Sequence, residues 1–179
     1  METITEILSN YQTFVLNNLL IGLLFVKLVS FFYEKELYSI AKEIIRWLII
    51  GYATTGLLYL IVCLINNPAF QQRATGSYWW AFWIMSFFST ILPFVLLLKR
   101  LKHKVWAIFT ILLLMNFGIG MNWLVTNGGS GSGWSVGFSF SPFLIFLGGG
   151  ILAGLVITGI SIIILKFKKA DSPQNINIK

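Results

Sequence analysis

Seven side chains hold all the carboxylate and imidazole chemistry open to this sequence: Glu2, Glu6, Glu34, Glu36, Glu43, Asp171 and His103. None lies within an apolar run. Coupled transporters and proton pumps place ionisable groups near the bilayer midplane, where they are costly and are kept because they work. Their placement outside the runs argues against a proton pathway carried by this chain alone. It argues equally against a two-carboxylate acid–base site and against haem or metal ligation by histidine. His103 sits in a basic turn with no paired acid or serine, which makes a membrane hydrolase or transferase the weakest functional class. The single cysteine, Cys63, lies mid-run and cannot form an internal disulfide. It reads as a small apolar side chain in a helix.

Uncharged polar groups do fall inside the runs: Asn17, Asn18, Thr54, Thr55, Ser86, Ser89, Thr90, Asn116 and Thr158, with Asn122 near an outer end. Asn116 is the most interior amide. Two roles fit it, a hydrogen bond to a ligand such as a quinone, or an interhelical bond to a neighbour such as Ser89 or Thr54. Arg73 stands just before an aromatic entry, as an outer-face anchor or anion contact or as a solvated loop charge. Near the last run Gly150 and Gly154 form a GxxxG, with Gly149 and Ala153 one residue behind. Small residues at this spacing let another helix approach closely, either from a partner subunit or from the same chain.

The elements that must carry these groups are set by hydropathy. Of the 179 residues, 57% are hydrophobic and only 11% charged, against about 25% charged in soluble domains. With a mean hydropathy of +0.83, this places the chain in the membrane class. Five apolar runs of 20 to 24 residues, 14–33, 44–65, 79–98, 105–125 and 142–165, have the length of spanning helices. The expected fold is therefore all-α, a polytopic bundle of five transmembrane helices. A short outer segment, 1–13, precedes the membrane domain 14–166, and a cytoplasmic tail, 167–179, follows it. The first ten residues lack the basic start of a secretory signal and read as mature sequence.

The net charge of +7 would suggest nucleic acid only if the bases formed one face. Here they flank the runs, so they report topology and no nucleic-acid partner is expected. Loop 34–46 with Lys27, the turn Lys99–Lys104 and the tail from Lys166 hold every Lys and Arg except Arg73. The positive-inside rule then puts the N-terminus outside and the C-terminus in the cytoplasm, in the cell's inner (plasma) membrane. Lys27 lies within six residues of the inner end of its run and can snorkel to the surface.

Within loop 34–46, Leu37, Ile40, Ala41, Ile44 and Ile45 share one helical face. The segment either lies in the interface or extends the second helix directly. Asn67-Pro68 marks a helix end, and Pro93 should kink the third helix near its inner end. Gly128–Gly133 reads GGSGSG, a flexible-linker composition, either native or replacing a longer loop.

One constellation extends from Arg73 through Gly76, Tyr78, Trp79, Trp80, Ala81 and Trp83 to Pro93. It continues through the basic turn 99–104 to Gly120-Met121, then Trp134 and Ser141-Pro142. This stretch resembles the polysulfide-reductase, or NrfD-like, membrane-subunit family, and within it the quinol-oxidising subunits of alternative complex III. The departures are at positions that carry the family's polar groups. Its Pro is Ser77 here, its Asn is Ser89, the Gln after its Pro is Phe94, and its Glu-Arg pair falls at Leu124-Val125. Since family members have eight to ten helices, the resemblance implies a shortened relative of their second half that keeps the scaffold and lacks the quinone chemistry. The function so implied is a non-catalytic integral membrane subunit. It would scaffold a respiratory, quinone-linked electron-transfer complex beside other membrane subunits, binding no cofactor itself, with quinone nearby. The alternative is a small transporter or substrate-binding membrane component, its Gly-rich fifth helix and Asn116 lining a cavity. No inverted repeat or matched pair of broken helices supports that reading.

Overall fold

A computed structural model describes residues 17–101, 104–128 and 140–170. The side chains of residues 17, 118–128 and 140–146 lie outside that description. Six α-helices appear among the described residues: α1 (Asn17–Phe32), α2 (Lys35–Asn66), α3 (Pro68–Thr75), α4 (Trp79–Ser86), α5 (Val105–Gly128) and α6 (Phe140–Ala170). The segment 1–13, most of the tail, His103 and the Gly-Ser run after Gly128 fall outside the description.

The all-α expectation holds; the expectation of five spans holds for three. Lys35–Asn66, Trp79–Leu97 and Leu147–Ala170 are long and apolar enough to cross a membrane. Two further apolar helices, Asn18–Phe32 and Val105–Phe117, are shorter as described. As described, the 16 residues of α1 rise about 24 Å at 1.5 Å per residue, against a hydrocarbon core of about 30 Å. The helical backbone of α5 nevertheless continues to Gly128.

Helix α2 resolves the choice posed by loop 34–46. It is one continuous helix of 32 residues, so the amphipathic stretch extends the second helix directly and does not turn from an interfacial segment. Its face is buried in the core: Leu37, Ala41 and Ile45 are fully enclosed with Leu19, Leu23 and Val26 of α1 and Ile108, Leu112 and Met115 of α5. The helix ends where Pro68 forces the preceding residue out of the helical region; Asn67 has φ −120° and ψ 106°. The Asn67 side chain then accepts from Ala69 N at 3.0 Å. It caps α3, which has Pro68 in its first turn. Gln71 Nε2 donates to Leu64 O at 2.9 Å and satisfies one of the carbonyls left open at the end of α2.

The expected distortion at Pro93 spreads over two turns. Past Ser86 the α-helix widens into a π turn, Phe87–Ile91, and then tightens into a 3-10 run, Leu92–Leu97. Proline removes one backbone donor and crowds the carbonyl four residues back. Ser89 Oγ and Thr90 Oγ1 donate back to Met85 O (2.8 Å) and Ser86 O (2.5 Å), a pattern that bends helices.

Much of the apolar surface faces outward. Of the three candidate spans, 33%, 39% and 28% of the most apolar window is buried, so most of each span is open to its surroundings. Phe31, Phe32, Trp47, Trp79, Leu152 and Phe167 are among the exposed large hydrophobics. That extent exceeds the patches a soluble monomer tolerates.

Candidate functional sites

The glycine stripe on α6 is occupied within the chain. A Cβ on Gly154 would stand 2.7 Å from Phe25 Cδ1, one on Gly149 would stand 2.7 Å from the Asn18 amide, and one on Gly150 would collide with Ile21. All three neighbours lie on α1. From the other side, a Cβ on Gly22 would meet Gly154 N at 3.3 Å. The motif therefore docks α1 on α6, the same-chain alternative of the two readings. Ala153 is half-buried beside it.

Among the described residues the hydrogen bond of Asn116 lies within its own helix. Its Nδ2 donates to Leu112 O of its own helix at 2.8 Å. Ser89 and Thr54 likewise donate to carbonyls of their own helices, Met85 O and Ile50 O. An i to i−4 carbonyl lies within reach of any short polar side chain on a helix, so it competes successfully with a neighbour across the interface. Ser161, fully buried, does the same to Ile157 O at 2.8 Å. The backbone of Asn122 belongs to α5, and its side chain lies outside the description.

Arg73 is exposed on α3. That helix is held by an aromatic chain: Tyr59 meets Phe70 edge-on at 6.1 Å, Phe70 meets Phe82 at 5.6 Å, and Phe82 meets Trp83 at 5.4 Å. Trp83 Nε1 donates to Ala74 O at 3.1 Å. Arg73 thus rides on a short helix locked to the aromatic start of α4. Such amphipathic rings are at home at a membrane interface.

The opposite end of the bundle is ionic. Lys169 Nζ reaches Glu34 Oε1 at 2.6 Å, and Lys168 Nζ lies 3.6 Å from Glu36 Oε2. These contacts place the end of α6 beside the start of α2.

One residue of the 34–46 charge group is buried in the helix. Arg46 is 5% exposed. Its Nη2 bonds Glu43 Oε1 one turn back, and its guanidinium lies over the Trp47 ring at 5.1 Å. The signal for its burial was in the pattern: Arg46 leads Ile49, Ile50 and Ala53 at helical spacing, all of them buried.

Among the described residues no group of three or more His, Cys, Asp or Glu could hold a metal. Comparison with known proteins finds no match to a family model, to a curated protein or to a solved structure.

Proposed function

We propose that this chain is a non-catalytic, multi-pass subunit of a bacterial inner membrane, and that it acts by packing against other membrane proteins. In this reading all five apolar runs cross, α5 continuing to Gly128, with the basic end in the cytoplasm. The 24 helical residues of α5 rise about 36 Å, enough for the crossing.

One observation supports the non-catalytic role most directly. Six of the polar donors within the helices are committed to their own backbones. Thr54, Thr55, Ser89, Thr90, Asn116 and Ser161 each donate to a carbonyl three or four residues back. Side chains arranged in this way cap backbone oxygens and do not converge on a shared cavity, where a ligand or ion would need them.

The partner class to test first is the quinone-linked electron-transfer complex implied by the Trp79-Trp80, Pro93 and Lys99–Lys104 pattern. Purification of the tagged chain from native membranes in mild detergent should bring down membrane subunits that carry haem or iron–sulfur absorbance. A clean monomer without redox partners would overturn the assignment.

A further inference from the structure

At the basic end, α1, α2 and the start of α5 enclose an open cleft of about 530 Å³. Its walls are apolar, formed by Leu23, Leu24, Val105 and Phe109, and its rim carries Lys27 and Lys104. Lys104 Nζ lies 6.0 Å from the centre of the Trp106 ring, and Lys42 Nζ lies 5.3 Å from that of Tyr38, which also lines the cleft. The Tyr38 hydroxyl is buried and has no hydrogen-bond partner among the described residues.

The charge around this cleft is unbalanced for a definite reason. The described acids at this end are Glu34, Glu36 and Glu43, and each is taken by another base: Lys169, Lys168 and Arg46. No described acid pairs with Lys27 or Lys104. Among the described residues nothing supplies their counter-charge, which leaves them open to an external anion. The apolar walls beneath them suit a hydrocarbon chain and would leave a free inorganic anion without contacts.

We propose that this cleft binds one anionic phospholipid of the cytoplasmic leaflet. Its phosphate sits between Lys27 and Lys104, within reach of the Tyr38 hydroxyl, and an acyl chain runs along Leu23, Leu24 and Phe109. Lys27 lies five residues before the end of α1, about 8 Å along the axis, a depth from which a lysine reaches the headgroup layer. The site rests on the membrane-spanning reading and is independent of which subunits the chain joins.

The test is native mass spectrometry of the detergent-purified chain, titrated with phosphatidylglycerol and, separately, with phosphatidylcholine of the same acyl chains. One phosphatidylglycerol should bind in preference. Lys27→Gln and Lys104→Gln should each weaken that preference about fivefold, the effect of one basic side chain at an anionic surface. Lys166→Gln, at the end of α6 and outside the cleft, should leave it unchanged. Leu24→Trp, which narrows the cleft from an exposed position on α1, should weaken both lipids together. Equal binding of the two lipids, or a preference that survives Lys27→Gln/Lys104→Gln, overturns the site. Carbonate extraction separates the two levels of the argument. A chain retained in membranes without lipid preference contradicts the cleft alone, whereas a chain released by carbonate contradicts the spanning reading and the site with it.

Discussion

Arg46 is the residue on which the inner half of the bundle depends electrostatically. A guanidinium this buried is tolerated only with a partner, and Glu43, itself partly exposed, supplies it. The Trp47 ring offers a second favourable contact. Removing the acid alone strands the base. Glu43→Gln should therefore cost about 1–3 kcal/mol, the range for a lost hydrogen bond to a charged group. Adding Arg46→Met, which substitutes an apolar side chain for the stranded charge, should recover a good part of that loss. Thermal unfolding in detergent of the two single variants and the double variant reads this directly. A double variant no more stable than Glu43→Gln would show that the pair does not hold the charge in place. The sequence displayed Arg46 with Lys35 and Lys42 as a topology marker, because counting charges between apolar runs ignores which face of a helix each one occupies. Only the helical phase relative to Ile49, Ile50 and Ala53 separates it from its neighbours.

At the scale of elements, the contact between α1 and α6 is the most intimate in the molecule, and it depends on missing side chains. Gly22, Gly150 and Gly154 bring two backbones together where lipid supplies no hydrophobic drive, so close packing itself must hold the helices. Gly154→Leu or Gly150→Val should destabilise by about 1–3 kcal/mol through overpacking against Phe25 and Ile21. That corresponds to a fall in Tm of several degrees. Gly148→Ala and Gly159→Ala, on parts of α6 where a Cβ meets nothing within 4 Å, serve as controls and should melt like the wild type. Equal melting of all four variants would contradict the packing. The GxxxG spacing was legible in the sequence, but its partner was not, since spacing states that a helix can be approached and not by which one. The same limit explains Asn116. Its position announced a polar contact, yet a helix always offers an i−4 carbonyl, and Leu112 O took the bond. The length of α2 was legible in pieces. The apolar run 44–65 and the amphipathic stretch before it were both visible, and the buried stripe Leu37, Ala41, Ile45 joins them into one helix.

For the whole molecule, the apolar runs and the placement of lysines carried most of the fold, because burial in hydrocarbon leaves helices as the main solution and makes length a direct measurement. They pointed to five crossings; among the described residues three helices are long and apolar enough to cross. The ion pairs between Glu34 and Lys169 and between Glu36 and Lys168 tie the start of α2 to the end of α6. An even number of crossings between those two points returns the chain to the same face, and in the five-span reading α2, α4, α5 and α6 supply four. The most direct test is cysteine labelling with a membrane-impermeant maleimide on intact spheroplasts of a Cys63→Ala background. Arg73→Cys should label from outside, whereas Arg100→Cys and Lys168→Cys should label only after the membrane is opened. Labelling of Arg73→Cys and Arg100→Cys from the same side would contradict this topology.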